Sequence, residues 1–563
     1  MPSVSTLPTN HMLVGRLTAP TRHRHLGFRV LRTSRVHSRP YSLSTSRQGL
    51  RDREDQVAEL DASRRVPLRD EPRARGGFPT SGSSVVDAAA TALIGLAAVF
   101  FGGIAYVSWY KKNVLDKIEL AFARGYDPAL DLASNLQRQH EVGDDDAHWT
   151  QHVRRREQSL LDRIVGGAEV GQYYLLLGPK GTGKGTMILD AMAAVEAEGV
   201  AVCDAHPDLE VFRLRLGKAL NYEFNEDTQT SLFQRRDPRE AGASLDIERA
   251  FNKLEKVALR YARRTGRPLI LIFNNVHFFN NDDDGRHMLL QMQQRAESWA
   301  AAGILTMVFS SDDFWPFLTM RKSASRMQVV SVSDLSLKDA CSASAQMRRN
   351  AKMPTDQKDL REAVSIVGGR LSYLSKVSKS ENMREHAMHL LAIEKAWLLS
   401  VIGLIPDCDD DVMDEQKWSS CSWLLLREFV KQRREDERRR AEAIAAGEIS
   451  SEELDEELPL PKIPYYRCRQ IMTRADFLEE LDRANVIAID TNHDVMPDSV
   501  LILQAALEVV EEGGFDDLLD GVRNRVDEIE SLHRTRELTF KDVNAGDRIR
   551  LSVDKGGAIS VTS

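Results

Sequence analysis

The sequence predicts an α/β fold in which a parallel β-sheet carries helices on both faces. Between residues 151 and 333, short apolar runs alternate with stretches whose apolar residues recur at helical spacing, which is typical of parallel strands joined by helices. Three of these runs, residues 173–177, 268–273 and 304–309, contain no charged residue. They therefore predict strands that are buried on both faces. Beyond residue 334 the strand pattern stops, and helices dominate to about residue 445.

A glycine-rich turn directly follows the first of these strands. A strand, such a turn, a lysine and then a helix form a phosphate-binding loop (P-loop), whose main-chain N–H groups surround the phosphates. The lysine, Lys184, is expected to reach the β- and γ-phosphates of bound ATP, or the β-phosphate of ADP. Gly185 stands where a Ser or Thr normally holds Mg²⁺, and we expect Thr186 to replace that hydroxyl in part. The predicted cofactor-binding residues are Gly178, Pro179, Lys180, Gly181, Thr182, Gly183, Lys184, Gly185 and Thr186.

The strand that should supply two carboxylates ends in amides. Asn274 and Asn275 follow residues 269–273, where P-loop ATPases place an acid that holds magnesium through water and an acid that polarises the attacking water. An amide can hydrogen-bond a metal-bound water, but it carries no charge and cannot act as a base. Asn274 is therefore predicted to contact magnesium together with Thr186, and hydrolysis is predicted to be slow or absent.

Several other polar residues lie where the chemistry could use them, and each has a structural alternative. Ser310 and Ser311 end the next strand and could contact the γ-phosphate or simply cap the strand. His277 could be a substitute base or a structural polar residue, and Asp282–Asp284 a displaced metal site or a solvated loop. Arg321 and Arg326 precede the last strand, where they could reach a neighbouring subunit or remain surface residues. Arg370, at the start of a later helix, could fold back onto the nucleotide.

These motifs occur in a recognisable order. Arg156-Glu157, the P-loop, Asn274-Asn275, Ser310-Ser311 and Gly368-Gly369-Arg370 together resemble the AAA+ ATPases of the origin-recognition and archaeal STAND-like branch. The chain looks like a fungal-type, membrane-anchored mitochondrial member whose second nucleotide motif (Walker B) is degenerate. The resemblance covers residues 150–380 and, more loosely, 464–512.

The resemblance implies roles for individual residues. Ser310 or Ser311 would be the first sensor, Arg370 the second sensor and Arg326 the arginine finger, which leaves a homo-oligomer open. Members of this branch often carry a C-terminal winged helix, and the order helix, hairpin, helix after residue 473 predicts such a unit here.

The N-terminal part predicts a mitochondrial membrane protein. The first 50 residues contain eight Arg but no Asp, Glu or Lys, a composition typical of a transit peptide. Residues 88–109 are uncharged and are followed by Lys111 and Lys112. At about 1.5 Å per residue, this segment can cross a hydrocarbon core of about 30 Å. We therefore expect a single-pass protein of the mitochondrial inner membrane, with its orientation undecided.

The composition and these boundaries give a predicted domain organisation. With 42% hydrophobic and 28% charged residues, the chain is typical of a globular protein, and its five scattered cysteines disfavour a disulfide scaffold or zinc site. The predicted segments are a transit peptide (1–41), a polar linker (42–83), a transmembrane helix (84–110), a juxtamembrane helical region (111–150), an AAA+-like P-loop nucleotide-binding domain (151–333), a helical lid and helical region (334–445), an acidic linker (446–463), a winged-helix-like domain (464–535) and a C-terminal tail (536–563).

Two functions follow from these predictions, and two others are disfavoured. The leading one is a membrane-anchored protein that uses its nucleotide state to control conformation or assembly with protein partners. The alternative is an active ATPase that remodels proteins at the inner membrane. Nucleic-acid binding is disfavoured, because residues 464–535 contain 7 Arg and 16 acidic residues, and such a surface repels phosphates. An adenylate-kinase-like transferase is also disfavoured, because no arginine-rich lid is evident.

Overall fold

A computed structural model describes residues 84–126, 154–224, 242–447, 458–538, 550–553 and 559–562. The predicted transit peptide (1–41) and the predicted polar linker (42–83) lie outside the described residues. The chain divides into two units at residue 88. All contacts given below lie within the second unit.

The first helix, α1, extends well beyond the predicted span. It runs over Ser84–Ala121, so the predicted boundary at residue 110 falls inside one continuous helix. Within it, residues 89–121 form the single helix in the described part of the chain that is long and apolar enough to cross a membrane. Apolar side chains such as Phe100 are exposed, whereas Val114 and Ile118 are buried in the core of the following domain.

A five-stranded parallel sheet forms the centre of that domain, as predicted. The strands are β1 (Tyr173–Leu177), β2 (Val200–Asp204), β3 (Leu269–Asn274), β4 (Leu305–Ser311) and β5 (Met327–Ser331), in the spatial order β2-β3-β4-β1-β5. The helices before and between them are α2 (Gln158–Val165), α3 (Lys184–Ala194), α4 (Leu209–Ala219), α5 (Gly242–Thr265), α6 (Asp283–Ala302) and α7 (Trp315–Arg321). β4 lies between β1 and β3, so the carboxyl ends of these three strands are neighbours at one edge of the sheet.

The alternation of side chains along β1 explains why helices cover both faces. Tyr173 and Leu175 belong to one hydrophobic core and Tyr174 and Leu176 to another, because successive residues of a strand point to opposite faces. Helices α2 and α3 contribute to the core on one face, and α4, α5 and α6 contribute to the core on the other.

The solvated loop predicted at Asp282–Asp284 is instead a helix start. Asp282 is the N-cap of α6, and its side chain accepts a hydrogen bond of 2.8 Å from the main-chain N–H of Gly285. Asp283 and Asp284 form the first turn, where acidic side chains are favoured by the helix dipole. The three acids are thus explained by helix capping.

Helices follow the sheet, and then a small mixed unit. The helices are α8 (Leu337–Asn350), α9 (Gln357–Val367), α10 (Leu371–Ser378), α11 (Met383–Val401) and α12 (Met413–Ala446). The later elements are β6 (Ile463–Pro464), α13 (Tyr465–Met472), α14 (Ala475–Arg483), β7 (Ile487–Ile489), β8 (Asp494–Pro497), α15 (Val500–Val510), α16 (Phe515–Leu538) and a hairpin of β9 (Arg550–Val553) with β10 (Ile559–Thr562).

The winged-helix prediction is confirmed, because β6, β8 and β7 form a three-stranded antiparallel sheet among these helices. The long helix α12 packs against this unit. The buried ring of Trp423 on α12 contacts the ring of Phe515 on α16 edge to face, with centroids 5.2 Å apart.

Candidate nucleotide-binding site

The P-loop connects β1 to α3 through glycines that the backbone requires. Gly181 and Gly183 have φ angles of +83° and +97°, which glycine adopts at little cost and other residues do not. A side chain at Gly183 would also meet Leu371 at 2.9 Å, and one at Gly181 would meet Ser372. The first turn of α10 therefore lies directly on the P-loop and acts as its lid.

Lys184 is folded into the loop. Its Nζ donates hydrogen bonds to the carbonyl oxygens of Gly178 (2.6 Å) and Pro179 (2.8 Å) and forms an ion pair of 2.8 Å with Asp312. The side chain is only 5% exposed. Burial lowers the pKa of Lys184, and the charge of Asp312 opposes this effect. A triphosphate would offer Lys184 the same kind of anionic partner that Asp312 supplies here.

Thr182 and Gly185 differ in how much room surrounds them. The Thr182 hydroxyl donates to the carbonyl oxygen of Pro179 (3.0 Å) within the loop. Gly185 lies in the exposed first turn of α3, and a Cβ there would meet nothing within 4 Å. Its neighbour Thr186 is exposed as well. The position that normally holds the magnesium-binding hydroxyl is therefore sterically open.

At the end of β3, the two asparagines have different environments. The Asn274 side-chain amide donates a hydrogen bond of 3.0 Å to Asp204 at the end of β2. Asn275 has a φ of +55°, a left-handed conformation that asparagine tolerates better than most residues, and it precedes a short 3₁₀ helix at Val276–Phe278. The backbone thus gives a reason for asparagine at position 275.

At the end of β4, the group that faces the P-loop is a carboxylate that sequence reasoning did not select. Ser310 and Ser311 are buried, and the Ser311 hydroxyl donates to the carbonyl oxygen of Asp313 (2.7 Å). Asp312 pairs with Lys184, and its main-chain N–H donates to Nδ1 of His277 (3.1 Å). The sequence feature that could have identified Asp312 is its position immediately after Ser310 and Ser311.

Arg370 joins three parts of the molecule. It is buried beneath the first turn of α10, and its guanidinium donates to Asp334 (2.7 Å), to the carbonyl oxygen of Lys180 in the P-loop (2.9 Å) and to Asp498 (2.7 Å), which follows β8. Burial alone would lower the pKa of Arg370, but the two carboxylates outweigh it and raise the pKa. The same burial raises the pKa of Asp498 to about 6.

Three other arginines lie near the sheet, and the sequence analysis did not select the buried one. Arg155, beside the predicted Arg156, is the buried one, and it donates a hydrogen bond of 2.7 Å to the carbonyl oxygen of Thr182 in the P-loop. Arg326 is exposed at the amino end of β5, where its guanidinium donates to the carbonyl oxygen of Gly171 (3.3 Å). Arg326 therefore lies where the parallel strands begin, whereas its own P-loop lies where they end. Arg321 contacts His493 of the winged-helix unit.

The site fits a nucleotide better than a metal held by protein alone. The left-handed glycines, the helix start at Lys184 and the buried lysine match what a phosphate group needs. Among the described residues, no cluster of three or more His, Cys, Asp or Glu could hold a metal ion. Magnesium would thus be bound mainly by phosphate and water, with side chains such as Thr186 and Asn274 as minor contributors.

The P-loop, the parallel sheet and the helical lid define a nucleotide-binding domain of the AAA+ class. Residues 152–307 match the family described as AAA ATPase domain. Residues 399–530 match the family described as fungal AAA protein, C-terminal winged helix domain. The chain therefore carries an AAA ATPase domain followed by a C-terminal winged helix domain, which confirms these two predictions.

Three similar solved structures are from archaea and bacteria. The chain is similar to the Walker-type ATPase paby2304 of Pyrococcus abyssi (11% identity, 64% of this chain and 97% of that one, TM-score 0.40). It is also similar to the ORC2 protein of Aeropyrum pernix (14% identity, 67% and 95%, TM-score 0.36) and to the RuvB branch-migration motor of Thermotoga maritima (10% identity, 61% and 90%, TM-score 0.26). No curated protein matches the chain.

Proposed function

We propose that this protein binds ATP or ADP at the P-loop and passes its nucleotide state to the winged-helix unit, which docks protein partners. The observation that carries the proposal is the position of Arg370. One guanidinium contacts the P-loop at Lys180, the segment between β5 and α8 at Asp334 and the winged-helix unit at Asp498. A nucleotide phosphate that attracts Arg370 must compete with the carboxylates of Asp334 and Asp498. Nucleotide binding and the docking of protein partners are therefore coupled.

The proposed site residues keep their predicted roles. Residues 178–186 bind the phosphates, Thr186 and Asn274 contact the waters of Mg²⁺, and Arg370 acts as the second sensor. Ser310, at the end of β4, contacts the γ-phosphate as the first sensor. Arg326 acts as an arginine finger on the nucleotide of a neighbouring subunit, because it lies far from its own P-loop. Hydrolysis is slow, since neither Asn274 nor Asn275 can take a proton from water.

The membrane anchor is α1. Its exposed apolar side chains, such as Leu93, Phe100 and Ile104, require a hydrocarbon environment over a length that matches a bilayer. The arginine-rich, acid-free N-terminus supports delivery to the mitochondrial inner membrane. Carbonate extraction of isolated mitochondria should leave the protein in the membrane pellet, and protease treatment before and after swelling should identify the compartment of the nucleotide domain. Release by carbonate would contradict the anchor.

Calorimetry and hydrogen exchange on the full chain in detergent test the central proposal. Titration with ATP and with ADP should give a heat of association, and its absence would contradict nucleotide binding. ATP should also change the exchange rate of main-chain amides in residues 494–503, next to Asp498. If ATP binds but exchange there stays the same, the coupling is wrong while the binding stands.

A further inference from the structure

We propose that Asp312, just beyond the end of β4, supplies the carboxylate that the end of β3 lacks, and that His277 positions it. The inference rests on the proposed binding of ATP at the P-loop. It assigns the residual hydrolysis to a residue on the neighbouring strand instead of to Asn274 or Asn275.

The order of the strands places Asp312 correctly. Because β4 lies between β1 and β3, its end faces both the P-loop and the carboxylate-free strand end. In the register, Leu177 of β1 is level with Ser311 and Phe273 of β3 is level with Phe309. Asp312 therefore lies at the level of the first P-loop residue and extends beyond Asn274. Its ion pair of 2.8 Å with Lys184 shows that the carboxylate reaches the phosphate-binding lysine.

His277 holds this carboxylate in place without acting as a base. Its Nδ1 accepts the hydrogen bond from the Asp312 main-chain N–H, so the neutral ring carries its proton on Nε2, which lies 3.8 Å from Oδ2 of Asp312. Burial lowers the pKa of His277, and the nearby Lys184 lowers it further against the opposing effect of Asp312. The ring thus stays neutral at pH 7, and its acceptor nitrogen is already occupied. His277 is a positioning residue.

The other acids near the site have different partners. Asp204 accepts the amide of Asn274. Asp313 is buried, its carbonyl oxygen accepts from Ser311, and burial raises its pKa to about 6, with a further contribution from the charge of Asp312. Asp312 alone among these three acids pairs with the P-loop lysine, and it retains 16% exposure, which leaves room for a water molecule beside it.

The reaction balances with the groups at hand. When a triphosphate takes over the charge of Lys184, Asp312 is free to accept a hydrogen bond from water. The water oxygen then forms a bond to the γ-phosphorus while the bond from that phosphorus to the β–γ bridging oxygen breaks. ADP leaves with the electron pair of that bond, and the proton of the water passes to Asp312 and from there to solvent. General-base help of this kind is worth about 10²–10⁴-fold in rate.

The experiment measures phosphate release and ATP affinity on the full chain in detergent, with Mg²⁺ present. Asp312→Asn should lower turnover at least about tenfold, while ATP affinity stays the same or rises because Lys184 loses a competing anion. Asp313→Asn, the adjacent acid, is the matched control and should stay within about twofold of the wild type. Asp312→Glu keeps the charge and should retain part of the turnover, which separates chemistry from folding.

The role of His277 has its own readout. His277→Ala should lower kcat with KM unchanged, and His277→Asn, whose side-chain oxygen can accept from the same N–H, should restore part of kcat. Equal turnover in Asp312→Asn and the wild type would overturn the inference. So would wild-type turnover no higher than that of Lys184→Ala when ATP is shown to bind. Absence of ATP binding would instead overturn the proposed function, on which the inference depends.

Discussion

The buried cations around the P-loop and the buried acids between β4 and the winged-helix unit contrast in how their charges are compensated. Lys184 pairs with Asp312, and Arg370 pairs with Asp334 and Asp498. The buried acids Asp313 and Asp482 form no ion pair among the described residues, and the charge of Asp313 raises the pKa of Asp482.

This difference shows where each kind of perturbation should act. An anion such as phosphate can enter the region of Lys184 and Arg370 by replacing a carboxylate, because both cations are already positioned to bind an anion. In the second region, no cation among the described residues forms an ion pair with Asp313 or Asp482, so this region responds to protons instead. The following predictions test this contrast, from the largest expected effect to the smallest.

Arg370→Ala should have the largest effect on stability. It leaves the buried carboxylate of Asp498 and the half-buried carboxylate of Asp334 without their cation, and breaking a buried ion pair from one side costs about 3–5 kcal/mol. Chemical denaturation of the full chain in detergent should show this loss of unfolding free energy. Arg326→Ala, an exposed arginine, is the control and should change it by less than about 0.5 kcal/mol. A loss below about 1 kcal/mol for Arg370→Ala would mean that its ion pairs are not structural.

Lys184→Ala should weaken ATP binding about 100-fold, which corresponds to roughly 3 kcal/mol, because the loop loses the buried lysine that is expected to contact the β- and γ-phosphates. Calorimetry measures the change. Lys338→Ala, an exposed lysine on α8, should bind ATP like the wild type. If both variants bind alike, the cations around the loop do not serve phosphate binding.

The buried acids Asp313 and Asp482 should make the free energy of unfolding depend on pH. Burial raises the pKa of Asp482 well above its usual value, as does the charge of Asp313, although the Phe314 N–H that donates to Asp482 opposes this. A raised pKa in the folded state stabilises the fold at low pH, and this contribution is lost as pH rises above about 4 towards the folded-state pKa.

Asp482→Asn removes that loss, because an amide oxygen can still accept from Phe314. It should therefore be more stable than the wild type at pH 8 by about 1 kcal/mol or more, with the difference vanishing near pH 4. Thermal unfolding at both pH values measures this, and Asp517→Asn, an exposed acid of α16, should show no such trend. A less stable Asp482→Asn at pH 8 would show that the charge is compensated after all.

Gly185→Ser should have the smallest effect. The added hydroxyl enters open space and supplies the usual magnesium contact, worth about 1 kcal/mol. ATP affinity should rise threefold to tenfold with Mg²⁺ and remain the same in EDTA. Gly183→Ser is the matched control, because its φ of +97° and the nearby Leu371 should reduce affinity in both conditions. An equal gain without Mg²⁺ would contradict a metal contact.

The sequence predicts the local features of this site well and the long-range ones poorly. The P-loop and the buried strand β3 follow from patterns of a few residues. Asp312 was missed because its importance depends on β4 lying between β1 and β3, and strand order is not visible in a local pattern. Asp498 lies 128 residues from Arg370, so their pairing could not be predicted. The helix start at Asp282 was predictable, because an aspartate followed by two acids is a common N-cap signal.

The continuity of α1 has a mechanical consequence. The same helix that carries the exposed apolar segment also places Val114 and Ile118 in the core of the nucleotide-binding domain and pairs Asp116 with Arg260. The 33 residues from 89 to 121 form a helix about 50 Å long, which, in the membrane anchor proposed above, connects the bilayer directly to the domain. In that arrangement, a rotation of the domain relative to the bilayer would also tilt α1.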